Sequence, residues 1–259
     1  PTHGFIENTL PSMAAAFDMG ADVVEIDIHL TTDGQFAVFH DWTLDCRTNG
    51  TGQTNAATMA TLKSLDVGWG YQTEDGRFAL RGTGVGAIPS LKEVFAAFPD
   101  GQFLINFKSN NPVEGTELAA FVESTTAEPQ IFGVYGGARP VETFKATTPD
   151  ISGFTYPSVK RCLLWYLGLG WTSYVPRSCH NTQIMVPVSH ARLFWGWPHR
   201  FTARMKDAGT DVILVGAHQG GLRGHTRGID TAEEAARVPY GFDGYVWTND
   251  LPAITAALP

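Results

Sequence analysis

The sequence is short of charge and of sulfur. Only 17% of its 259 residues are charged, and only three are cysteine: Cys46, Cys162 and Cys179. So few cysteines, so scattered, exclude a zinc framework and a disulfide-built scaffold. Cys162 and Cys179 can pair in an oxidising compartment, but two buried thiols are the expected state. No cluster of basic residues occurs, and 18 Lys and Arg against 26 Asp and Glu leave a net charge of −8. That excludes a protein whose main task is neutralising nucleic-acid phosphates. Long apolar runs are missing too: the longest, from Cys162 to Trp171, is too short to span a bilayer. There is no initiator Met and no signal-peptide pattern, and Pro1 runs almost directly into a helical pattern, as expected of a chain that begins mid-protein.

What remains is the make-up of a folded protein. Hydrophobic residues at 43% suffice for a core, and 259 residues accommodate one large α/β barrel or two small domains. Glycine is plentiful, 28 residues without a triplet period, which excludes collagen and implies many turns and close backbone approaches.

Asn8 or Thr9 can cap a helix with Pro11 in its first turn, and Leu10, Met13, Ala14 and Phe17 recur at helical spacing until Gly20. Val23 to Leu30 reads as a strand with acids at alternate positions, and Phe36 to Asp41 as a second. Asp33-Gly34 between them is too short for a helical crossover, so the pair is expected to form a hairpin. Further strands are expected at Phe103 to Lys108, Ile131 to Tyr135, Ile151 to Tyr156, Ile184 to Val188, Asp211 to Val215 and Gly244 to Trp247. From the third strand onward they lie about 20 to 32 residues apart, near the ~30 of a βα unit. Ser90 with Glu93, and Thr231 with Glu234, have capping-box spacing for helices between them. Gly82 to Gly86 reads as a loop, since no strand precedes it. The alternation implies a parallel α/β protein, specifically a TIM-type (β/α)8 barrel with a hairpin after its second strand. Setting the hairpin return aside leaves seven barrel strands, so the missing first strand is expected before Pro1. The expected organisation is a single, N-terminally incomplete barrel domain over residues 1–259.

Glu25 and Asp27 are two apart on a strand, so their carboxylates face one side. Alone, the pair reads first as a half-solvated strand with its acids on the wet face. The hairpin changes this, because it returns His40 beside Glu25. Two oxyanions so close call for a cation or proton between them, and hard oxygen ligands favour Mg²⁺ or Ca²⁺. Asp41 reads as turn chemistry. His29, in phase with Glu25 and Asp27, lies at the hairpin tip and is expected to be solvent-exposed. Asn106 and Lys108 alternate on the next strand toward the barrel mouth, where Lys108 either neutralises a phosphate or sits in solvent. Trp247, ending the last strand, and Gly133 to Gly137 are placed to line a pocket. Leu163 to Trp171 and Phe194 to Pro198 concentrate tryptophans. Exposed, these suit a lipid-like substrate or membrane contact; the expectation is that they are buried packing. His180, His190, His199, His218 and His225 share no metal-ligand spacing.

Glu7-Asn8-Thr9, Gly20 through Glu25-Ile26-Asp27, Leu30-Thr31-Thr32-Asp33-Gly34, His40-Asp41, Thr43-Leu44-Asp45, Arg47 to Gly52 and Ile88-Pro89-Ser90-Leu91 occur in order. Together they resemble the glycerophosphodiester phosphodiesterase family, densely over about the first 110 residues and thinly beyond. The resemblance implies a TIM-type barrel and metal-dependent hydrolysis of a small-molecule glycerophosphodiester to an alcohol and glycerol phosphate. Glu25 and Asp27 would be divalent metal ligands, His40 one of two catalytic histidines, Lys108 a phosphate contact, and Glu7 an organiser of the substrate site. Two departures stand out. Asn106 replaces the glutamate expected as third metal ligand, and no His-Arg-Gly segment precedes Glu7; His3 reads as loop, and the motif is expected upstream. The alternatives are a lysophospholipase D-like enzyme using the same site on lysophospholipids and, given the two departures, a barrel that binds phosphodiester without turning it over.

Overall fold

The computed structural model describes residues 4–73, 75–125, 127–218 and 227–258; His3 and His225 lie outside them. The chain divides into two compact units, Pro1–Ile151 and Ser152–Pro259.

The first unit opens with helix α1 (Leu10–Asp18), which Thr9 starts through a capping box with Ser12. Strand β1 (Val24–Leu30) follows, and its alternation sorts its faces: Ile26 and Ile28 are fully buried in the apolar core, while Glu25, Asp27 and His29 point to the other side. β1 turns at Gly34, in left-handed conformation at φ 75°, and β2 (Phe36–Val38) returns antiparallel with Ile28 opposite Val38. The expected hairpin is therefore present. A long connection with the short helix α2 (Met59–Lys63) leads to α3 (Leu91–Ala97), capped by the Ser90–Glu93 box. Next come β3 (Phe103–Phe107), α4 (Pro112–Ser124), β4 (Ile131–Gly136) and α5 (Ala138–Thr147). The sheet order is β2-β1-β3-β4, with β1, β3 and β4 parallel. Its helix-covered face packs Ile26, Ile28, Phe103, Ile105 and Phe107 against Met13, Leu91, Leu118 and Phe144.

The second unit holds α6 (Tyr156–Leu169), β5 (Thr182–Pro187), α7 (His199–Asp207), β6 (Thr210–Val215), α8 (Ala232–Ala235), β7 (Tyr245–Val246) and α9 (Leu251–Thr255). Its sheet, β5-β6-β7, is parallel throughout. Ile184, Val186, Val212 and Leu214 pack against Tyr166, Phe201 and Met205.

Three expectations fail here. Ile151 to Tyr156 forms no strand; Thr155 caps α6 through a box with Ser158, and Pro157 in the first turn commits the segment to helix. Six parallel barrel strands are thus present among the described residues. Cys162 and Cys179 are not thiols but a disulfide, their Cα atoms 4.9 Å apart, because α6 and the turn before β5 bring both side chains into the core. Finally, Trp165, Trp171 and Trp195 are exposed rather than buried. Cys162 and Tyr166 take the inward positions of α6, which leaves its tryptophan outward.

Candidate active site

The parallel register of the first unit lines up Asp27 on β1, Asn106 on β3 and Tyr135 on β4, side by side. Asp27 is buried and its carboxylate receives three donors: Asn106 Nδ2 at 2.8 Å and Lys108 Nζ at 3.2 Å on Oδ1, and Asn8 Nδ2 at 2.9 Å on Oδ2. Asn8 also accepts from the Asp27 backbone N–H at 3.1 Å. It does so from the left-handed region, φ 56°, which asparagine tolerates better than most residues. Glu25, two residues away, accepts the Tyr135 hydroxyl at 2.6 Å. Desolvation and then the Asp27 charge push Glu25 up to about 8. Burial and the Glu25 charge hold the Tyr135 hydroxyl well above its ordinary range, so it remains a donor. Gly136 closes the row: at φ 108° a side chain there would run into Asn106 Oδ1 and the Phe107 backbone.

This row suits a hard divalent cation. Two carboxylates share one side of a strand, and one is driven toward its protonated form partly by the other, a repulsion that a cation relieves. Among the described residues no group of three or more His, Cys, Asp and Glu could hold a metal; beside the two carboxylates stands the Asn106 amide, its N–H on Asp27.

A second array forms on the return strand. The Phe39 N–H donates to Asp27 O at 3.0 Å, which brings His40 level with Ile26, one residue from Glu25. His40 is half exposed, with Nδ1 2.7 Å from Asp41 Oδ1. That contact leaves Nε2 as the atom available for proton transfer. Asp41 is itself fixed: Arg47 Nε lies 3.1 Å from its Oδ2, and Thr54 Oγ1 donates to its carbonyl at 2.7 Å. Arg47 pairs in addition with Glu7 and donates to the Tyr71 hydroxyl at 2.9 Å.

A model of the glycerophosphoryl diester phosphodiesterase family matches residues 2–148, over half of the chain. The chain belongs to this family. A glycerophosphodiester phosphodiesterase of Caldanaerobacter subterraneus is 38% identical over 102 residues, 39% of each protein. A lysophospholipase D of Rattus norvegicus is 31% identical over 175 residues, 66% of this chain and 53% of that protein. The chain thus spans two fifths to about half of the length of these curated relatives. The solved structure of an Oleispira antarctica phosphodiesterase, in complex with the product sn-glycerol-3-phosphate, has a TM-score of 0.63 at 22% identity, covering 97% of this chain and 91% of that one. The fold is that of the phosphodiesterase family, the TIM-type barrel class expected from the sequence.

Within the family motif, His29 corrects the expectation of an exposed hairpin tip. It is 1% exposed, with a hydrogen bond to the His40 backbone and Trp42 lying edge-on at 6.1 Å. Its strand position points it inward, and the loop after β2 covers it. Desolvation, then Lys108, lower it to about 4, so it is neutral at pH 7. Glu7 touches Arg47, and Trp247 follows β7 in the second unit. Sequence reasoning missed Asp41 and Arg47 beside His40, and placed Tyr135 only within a pocket-lining segment, without its contact to Glu25. His40-Asp41 adjacency was a usable signal for the first; Arg47 and Tyr135 act across distances in sequence that no local pattern reveals.

Proposed function

We propose that the chain hydrolyses glycerophosphodiesters, releasing an alcohol and glycerol phosphate, with Mg²⁺ or Ca²⁺ held by Glu25, Asp27 and Asn106. The observation that carries this reading is one row of Glu25, Asp27, Asn106, Lys108 and Tyr135 across three parallel strands, with His40 beside it. Family membership and the neighbour's bound glycerol phosphate support it. In the reaction a water oxygen bonds to phosphorus, the bond to the departing alcohol oxygen breaks, and a proton passes from the water to that oxygen. His40 Nε2 carries the proton for one of the two transfers, its ring held by Asp41. The family resemblance assigns the other transfer to the histidine of a His-Arg-Gly segment. Lys108 balances phosphoryl charge, and Glu7 keeps Arg47 on Asp41. When bound, the cation polarises the phosphoryl oxygens and activates the attacking hydroxyl.

The test is release of glycerol phosphate from glycerophosphocholine by the full-length protein, with and without chelator, and in Glu25→Gln. Both treatments should cost roughly 10³-fold or more. Unchanged turnover under chelation overturns the metal assignment, and tight retention of substrate without turnover identifies a binding barrel. The similarity to a lysophospholipase D over 175 residues favours a second reading, action on lysophospholipids. Turnover of lysophosphatidylcholine exceeding that of glycerophosphocholine would decide for it.

A further inference from the structure

A surface helix normally turns charged residues outward. α6 instead presents Leu164 and Trp165, the latter 58% exposed, and the turn after it presents Trp171, 67% exposed. Trp195 and Leu193 belong to the same face, because Trp195 Nε1 donates to the Leu167 carbonyl at 2.9 Å and the Tyr166 hydroxyl donates to the Trp195 carbonyl at 2.9 Å. Charge follows the aromatics. Residues 151–206 contain seven Lys and Arg and not one Asp or Glu, in a chain with 26 acidic residues. Lys160 and Arg161 stand one turn before Leu164 and Trp165, exposed on the same helix.

The scaffold beneath is fixed. The Cys162–Cys179 bond ties α6 to the turn before β5, and the Arg204 guanidinium donates to Tyr166 Oη, the Gly170 carbonyl and Ser173 Oγ at 2.7 to 3.0 Å. The backbone that carries the indoles is therefore braced from beneath, and Trp195 is fixed by its own bond to Leu167. A cleft of about 860 Å³ opens at the same loop, lined by Arg192, Trp195, Trp197, Arg237 and Tyr240.

We propose that this face docks onto an anionic lipid bilayer. Indole and phenol rings, apolar in body and polar at one edge, suit the boundary between headgroups and acyl chains. The basic residues around them answer the charge of anionic headgroups. The mode is surface attachment, since no helix among the described residues is long and apolar enough to cross a membrane. The cleft is lined at its rim by Arg192 and Arg237, the latter also paired with Glu233 at 2.7 Å, and adds apolar and basic surface to the same face. The inference rests on this surface alone and is independent of the catalytic reading.

The test is co-sedimentation of the full chain with phosphatidylcholine vesicles, with and without about 30 mol% phosphatidylglycerol, read with the wavelength of tryptophan emission. Binding to the anionic vesicles should be roughly tenfold or more the stronger, should weaken with added salt, and should shift emission to the blue. Trp165→Ala with Trp171→Ala should cut it about tenfold, as should Lys160→Glu with Arg161→Glu, whereas Trp69→Ala in the first unit should leave it unchanged. All four surface positions are exposed, and the fold of each variant is checked by circular dichroism. No binding to anionic vesicles at low salt overturns the proposal. Equal binding to both vesicles, or indifference to both double variants, does so as well; in either case stable capture of a protein by this face would assign it to a protein partner.

Discussion

The two units carry opposite kinds of surface chemistry. Residues 1–151 hold 8 basic against 19 acidic side chains, and residues 152–259 hold 10 against 7. The family match ends at residue 148, close to the boundary between them. The first unit encloses a few of its charges: Asp27, Lys108 and Glu25 form a partly buried row, each with a named partner. The second spreads its cations over a surface with exposed indoles and braces it with a disulfide. The contrast teaches that the two features make separate physical demands, because one is a preorganised, desolvated row of polar groups and the other an accessible face.

Glu25→Gln should break the comparison most sharply. Activity on a soluble glycerophosphodiester is expected to fall by roughly 10³-fold or more, with vesicle binding untouched. The Trp165→Ala, Trp171→Ala double variant should do the reverse. A single variant that abolishes both, while still folded, would show that the two properties are coupled.

The next effect concerns only the second unit. Cys162→Ala with Cys179→Ala removes a bond between residues 17 apart, for which loop-closure arguments give about 3 kcal/mol. Denaturant unfolding should show a loss of that order, and dithiothreitol should reproduce it in the unaltered protein but not in the variant. Amide exchange in β1, β3 and β4 should change less than in α6 and β5.

A third effect belongs only to the first unit. Glu25 titrates near 8 when folded, against an ordinary 4.5. Between those values the folded metal-free protein binds more protons than the unfolded chain, so its stability falls as pH rises from about 4.5 and levels off above about 8. Glu25→Gln should flatten that slope. A cation must displace the same proton, so Mg²⁺ or Ca²⁺ should bind about tenfold more weakly at pH 7 than at pH 9, as isothermal titration can measure.

How much of this was legible in the sequence follows the range of the forces involved. Glu25 and Asp27 were readable because strand alternation is local, and the hairpin because Asp33-Gly34 specifies a turn. The helix starts at Ser90 and Thr231 were readable because each cap side chain accepts from the backbone N–H three residues on. Burial was harder. His29 sits where alternation put it, but the loop carrying Trp42 decides that it is covered. Tyr135 meets Glu25 across 110 residues, and Arg47 joins Glu7, Asp41 and Tyr71 through a fold that no window contains. The segment from Ile151 to Tyr156 has strand-like composition, yet Thr155 and Pro157 start a helix, so a local signal of one kind lost to another. The tryptophans of α6 were visible as a cluster; which way they point depends on Cys162 and Tyr166 taking the core.

The smallest effect tests the one place where the row departs from the family pattern. Asn106 gives its amide N–H to Asp27 and so holds that carboxylate without adding charge. Asn106→Glu would supply a third carboxylate, raising cation affinity severalfold through charge. It would also delete the donor on Asp27 and press a longer side chain toward the Gly136 turn, where Asn106 Oδ1 already lies close enough to exclude a Cβ. The gain in affinity should therefore stay below about tenfold, and Glu25 should move further upward in the metal-free protein because a second anion joins Asp27. If affinity instead falls, the amide is needed as the donor that aims Asp27, and the row works as two carboxylates with Asn106 positioning them rather than as three ligands.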